Sequence, residues 1–195
     1  LNEMLFKKHI LIIGIALTSI HICRSQCLSI NIIKNPNLED YTCCPNNMAL
    51  IDCATFWTQP LPQSTSEYFN TCGIDSLLFP NLLTFFQHAY FGNGYAGICT
   101  FTYSPLADPP WDYREYVQGT LSVPLQPNQC YYCEFWVECW NWENLVPYCA
   151  NDALGIYFSD TLPKITSSDP MAMIFPSQIN NATGRIISDT ANWTK

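Results

Sequence analysis

Positive charge is scarce in this chain: eight Lys and Arg stand against sixteen Asp and Glu in 195 residues, a formal net charge of −8. No cluster of basic residues exists that could follow a phosphate backbone, so nucleic acid is excluded as a partner. Histidine is scarcer still, at three residues, which leaves little for acid–base chemistry near neutral pH. No stretch carries the 3.6-residue periodicity of a long amphipathic helix, and there is no internal repeat, low-complexity tract or linker. The apolar run Ile10–Ile22 is too short for a comfortable membrane span. What is abundant is apolar and aromatic: 48% of residues are hydrophobic and 14% aromatic, enough for one domain with a core.

The first residues read as a targeting segment. Met4 opens a stretch in which Lys7 and Lys8 precede the apolar run, and Cys23-Arg24-Ser25 places small residues where a signal peptidase needs them. The expectation is a signal peptide over 4–25, with Leu1–Glu3 read through from upstream of the start, and a mature chain over 26–195 that is exported, extracellular or surface-associated, with no transmembrane span. Lipidation is the weaker alternative, because the residues before Cys23 and Cys27 do not form a small-residue lipobox. Loss of Lys7, Lys8, Arg24 and Glu3 makes the remainder more acidic. Of eleven cysteines only Cys23 leaves, and an even remainder in an exported chain favours disulfides.

The densest chemistry lies in CYYCEFWVECW, residues 130–140. Read with period two, Tyr131, Cys133, Phe135, Val137 and Cys139 form an apolar row, while Tyr132, Glu134, Trp136, Glu138 and Trp140 alternate rings with carboxylates on the other face. Zinc is the competing reading of Cys130-x-x-Cys133. On a strand those two side chains point to opposite faces, so structural disulfides or buried thiols are the better expectation.

Elsewhere short β-branched and aromatic segments alternate with turns, and fourteen prolines punctuate them. Strands are predicted over 28–34, 94–103, 113–123, 129–140, 152–159, 171–175 and 184–188, and the region 35–93 reads as mostly loop. The fold class is all-β, a sandwich or barrel of one domain over 26–195. Asn192–Lys195 reads as the start of a further strand, so the last strand or strands are expected beyond the given sequence.

In order along the chain, INIIKNPNLEDYTCCP, ATFWTQP, SEYFNTCG, FGNGYAGI, DYREYVQGTLSVPLQPNQCYYCEFWV and DALGIYFSD resemble the N-terminal domain of secreted or surface proteins of Bacteroidota. That domain is similar to a galactose-binding-like jelly roll of the carbohydrate-binding-module type. It is often joined to OmpA-like or type IX sorting domains. The resemblance covers roughly residues 30 to 195 and implies a jelly-roll β-sandwich. It also implies a first disulfide between Cys44 and Cys72, and structural roles for Trp57 and for Arg114 beside a buried carboxylate. NPNLED resembles the opening of calcium-holding modules, which would make Asn35 and Glu39 ligands of a structural calcium. Leu38 departs from that pattern, and a hard cation needs more oxygens than these two supply.

Catalysis has weak support. His88 is the histidine left after cleavage and has no nucleophile motif beside it. Glu134 and Glu138 share a face of the predicted strand but would stand about 13 Å apart along it, too far for either glycosidase geometry. Sugar binding is the functional reading: Trp136, Trp140 and Tyr132 could stack on sugar rings while Glu134 and Glu138 bond hydroxyls. Trp142 would extend the site into the loop after the strand. The alternative is that these rings are covered by the 35–93 region, or by another sheet face, and form a second core layer. The expected function is thus a non-enzymatic binding module for glycan. The alternatives are a structural or adhesion domain of the cell envelope with no small ligand and, more remotely, a glycoside hydrolase. No cofactor is expected apart from the calcium.

Overall fold

A computed structural model describes residues 30–60, 64–73, 88–100, 102–104, 111–139, 152, 154–163 and 177–195. Their strands are short and pair antiparallel in twos. β1 (Trp57–Thr58) pairs with β6 (Gln118–Gly119), and β2 (Glu67–Asn70) with β3 (Gly94–Gly97). β4 (Thr102–Ser104) pairs with β5 (Trp111–Tyr113), and β7 (Gly155–Ile156) with β8 (Ile179–Asn180). The helical content of the described residues is one 3₁₀ turn, Ile51–Cys53. The described chain is therefore all-β with small antiparallel sheets. No helix among the described residues is long and apolar enough to cross a membrane. The signal-peptide region 4–25 and the predicted strand at 171–175 lie outside the described residues.

The chain divides into two units, Leu1–Ile30 with Leu125–Glu134, and Asn31–Pro124 with Phe135–Lys195. In the first, Asn128 takes a left-handed conformation at φ 61°, which Asn tolerates better than most residues. The turn it makes is closed by Tyr131, whose hydroxyl accepts from the Gln126 amide at 2.8 Å.

The second unit holds the core: Ile51, Cys53, Ala54 and Tyr68 are buried, with Leu38, Leu50, Trp57, Ala96 and Val117 packed against them. This core lies largely within 35–93, the region that sequence patterning assigns to loop. The physical reason is that crosslinks and side-chain hydrogen bonds, rather than alternation along strands, assemble it. Cys43–Cys53 and Cys44–Cys72 close loops with sequence separations of 10 and 28, each restricting the unfolded chain by about 3 kcal/mol. Tyr68, read from sequence as a loop residue, sits in β2 and is among the largest fully buried side chains. Its hydroxyl donates to Leu38 O and accepts from Asn70 Nδ2, both at 2.8 Å. Trp57 donates its indole N–H to Asn35 O at 2.8 Å.

Longer predicted strands are broken in identifiable ways. In 94–103 the ladder stops after Gly97, and the Cys99 amide is taken by Glu115 Oε2 at 2.7 Å. In 113–123 strand is limited to Tyr113, the end of β5, and Gln118–Gly119, although the next residues continue alongside the N-terminal segment: Ile33 bridges Leu121, and Ser122 N donates to Ile32 O at 2.7 Å. Across 129–140 no strand forms among the described residues. Tyr131 and Phe135 of the supposedly buried row are 39% and 44% exposed, so period two does not sort this segment into two faces. Its ladder contact is the bridge from Val137 to Thr194.

A buried polar layer crosses the second unit. Ser64, Ser66, Glu67 and Glu115 are all buried. Glu115 Oε1 accepts from the Thr65 amide at 3.1 Å and from the Thr65 hydroxyl, and Ser66 Oγ donates to Tyr116 O at 3.0 Å. Buried polar atoms of this kind are tolerated because they are bonded.

Candidate functional site

The β2–β3 register sets Phe69 opposite Tyr95. Their rings stack with centroids 4.8 Å apart, and Gly97 leaves the space for this, since a Cβ there would lie 2.8 Å from Phe69 Cε2. The strip continues through residues remote in sequence. Trp193 meets Tyr95 edge-on at 6.0 Å and Tyr90 edge-on at 6.5 Å. Tyr90 in turn stacks on Trp136 at 4.1 Å with the planes 15° apart. Phe69, Tyr95, Trp193, Tyr90 and Trp136 therefore form a continuous aromatic strip of stacked and edge-on contacts.

Backbone pairing holds the strip in place. Val137 and Thr194 exchange two amide hydrogen bonds at 2.8 Å, and Thr194 Oγ1 adds a bond to Val137 O at 3.1 Å. This antiparallel bridge brings Trp136 and Trp193 toward Tyr90. The Trp193 indole N–H is committed to His88 O at 2.8 Å, so His88 serves through its backbone. Cys139 N donates to Asp189 O at 2.8 Å.

Two carboxylates border the strip. Glu138 Oε1 is buried and has no hydrogen-bond partner. Burial, followed by the nearby Asp189 charge, pushes the Glu138 carboxyl above its ordinary value. Burial first, then the Glu138 charge, pushes Tyr95 up to about 12. Asp189 is held below the usual range because its carboxylate accepts from the Ala191 and Asn192 amides, both at 2.9 Å. One oxygen of Glu138 is thus covered beside aromatic rings and a like charge while the rest of the side chain is half-exposed, and an unpaired covered acceptor is costly.

Of the residues that the sequence singled out, Trp136 and Glu138 belong to this site. Tyr132 belongs to the other unit and is 70% exposed there. Trp140 and Trp142 lie outside the described residues. The strand argument that separated Glu134 from Glu138 does not apply, because no regular strand joins them.

Asn35 and Glu39 are placed elsewhere, in the turn that carries the NPNLED block. Asn35, at φ 50°, donates from Nδ2 to Asp40 O at 2.8 Å and to Thr55 O at 2.9 Å, and its Oδ1 accepts from Asp40 N at 3.0 Å. Glu39 Oε1 accepts from the Asn93 and Gly94 amides at 2.6 and 2.8 Å, and Oε2 from Asn93 Nδ2 at 3.1 Å. Among the described residues no group of three or more His, Cys, Asp or Glu could hold a metal ion.

Sequence reasoning missed Tyr90, Tyr95, Trp193 and Asp189 as site members. Aromatic density in FGNGYAG was the available signal, but pairing across 57 residues between Val137 and Thr194 leaves no local trace. The chain matches no family model, no curated protein and no solved structure.

Proposed function

We propose that this chain is a non-catalytic exported or cell-surface binding module whose ligand is a glycan held by the strip running from Tyr95 through Trp193 and Tyr90 to Trp136. The observation that carries this reading is the Tyr90–Trp136 stack. The two rings lie face to face at 4.1 Å yet remain 52% and 37% exposed. Rings fixed against each other lose little further conformational freedom on binding, which favours recognition. Their apolar faces suit the C–H patches of sugars, and the Glu138 carboxylate suits sugar hydroxyls.

The galactose-binding-like jelly roll that the family resemblance implies is part of this proposal, and the short antiparallel strands are compatible with its all-β class. Two disulfides support export, since oxidising compartments preserve such bonds.

The test is a glycan-array screen of the folded chain beside Tyr90→Ala and Trp136→Ala. Binding by the wild type that drops at least tenfold in both variants, with their thermal transitions retained, is the expected result. A silent array, or variants that bind like wild type, refutes the platform. A cell-envelope structural domain is the second reading, favoured by Phe91, which is 70% exposed beside Tyr90. A silent array combined with self-association in sedimentation that Phe91→Ser abolishes would select it.

A further inference from the structure

We infer that the ligand of this strip is a cationic amino sugar, presented as an oligomer or polymer with free protonated amines, rather than a neutral or acidic glycan. This inference rests on the glycan reading of the same site and specifies the ligand class.

The first ground is an unmet acceptor. Glu138 Oε1 is buried without a hydrogen-bond partner in a side chain that is itself only half-buried, so a turn of the carboxyl brings this unmet acceptor to a donor that arrives with the ligand. The Trp193 indole N–H, a donor of the site itself, is already bonded to His88 O. A ligand rich in donors therefore fits better than one rich in acceptors.

The second ground is charge. The Cys139 amide bonds Asp189 O at 2.8 Å, which sets Asp189 beside the segment that carries Glu138, and an ammonium between or beside two carboxylates relieves their repulsion in a way that a hydroxyl does not. The rings of Tyr90, Trp136 and Trp193 add faces that attract cations. At a formal net charge of −8, the whole chain draws polycations and repels polyanions such as uronic-acid polymers.

The experiment is calorimetric titration of the full disulfide-bonded chain with hexamers of glucosamine, N-acetylglucosamine and glucose, at a pH where the glucosamine amine is protonated. The glucosamine hexamer is expected to bind about tenfold more tightly than the two neutral hexamers, the scale of one cation–π contact plus one charge-assisted hydrogen bond. That preference should shrink as salt rises. Glu138→Gln should cut that preference to about twofold, whatever it does to the affinity for the neutral hexamers.

Equal affinity for all three hexamers, a preference insensitive to salt, or a preference that survives Glu138→Gln overturns the inference while leaving the platform intact. No binding of the glucosamine hexamer also overturns it, and the array result decides the platform separately. Salt dependence is read on the wild-type chain, so the outcome does not hang on the folding of the variant.

Discussion

Glu67 is the residue whose titration should be felt by the whole fold. Burial, opposed by the Ala49 amide at 2.7 Å and reinforced by the Glu115 charge, pushes its carboxyl up to about 7. A folded pKa above the unfolded value means that the protonated form is favoured in the native state. That contribution is complete below the ordinary value of 4.5 and is lost as pH rises through about 7. The melting temperature should therefore decline between about pH 4.5 and about pH 7 and level off above that. The loss is on the order of 2 kcal/mol once solvent screening is allowed for. Glu67→Gln should flatten the decline, and an unchanged slope in that variant would assign the titration elsewhere. Glu39 has the opposite sign. Burial acts to raise it, but the Asn93 and Gly94 amides hold it below its ordinary value, so its contribution is lost as pH falls through the folded value. Glu39→Ala should destabilise by about 1–3 kcal/mol in urea unfolding, because two backbone amides lose their acceptor. Since Asn35 and Glu39 are committed to backbone groups, a chelator should leave the melting temperature where it is. A drop restored by calcium would show that these residues hold an ion instead.

Between residues and fold stand the turns and crosslinks that join β2 and β3 to the NPNLED turn. Gly94 packs directly on that turn, and a Cβ there would run into the Leu38 carbonyl oxygen. Gly94→Ala should lower stability by about 1–3 kcal/mol, as overpacking against rigid backbone does. The urea midpoint should move with an unchanged m-value. The Cys44–Cys72 bridge ties the start of this region to the end of β2, with a sequence separation of 28. Replacing both cysteines by Ser should cost about 3 kcal/mol. An unaltered urea midpoint would mean that the bridge contributes nothing to the native chain. The segment 129–140 shows why element prediction failed there. Alternation makes a strand only where a neighbour offers a ladder, and the ladder is limited to Val137 with Thr194. Tyr131 spends its hydroxyl on a local turn instead.

For the molecule as a whole, the acidic excess sets the long-range field, and among the described residues small sheets with two disulfides, rather than one wide sheet, set the stability. The described core of Ile51, Cys53, Ala54 and Tyr68 is small, so crosslinks supply a large share of what holds it. Reduction of the folded chain should accordingly expose this core and shift Trp57 emission to longer wavelength. Emission unchanged by reductant would show that packing alone suffices.

The amino-acid sequence by itself determined the charge balance, the all-β class and the dependence on disulfide chemistry, because composition, β-branched and aromatic enrichment, and an even cysteine remainder are properties that need no partner. It also marked Trp136 and Glu138, since an aromatic beside a carboxylate is visible wherever it lies. Only the tertiary structure decided where the core sits. The contacts that build it, from Glu39 to Gly94 and from Cys44 to Cys72, join positions whose spacing follows no strand or helix period. The same holds for the aromatic strip. Tyr90, Trp136 and Trp193 become one surface because a single antiparallel bridge closes a long loop. That closure depends on the free energy of the folded whole rather than on any local preference of the segments it joins.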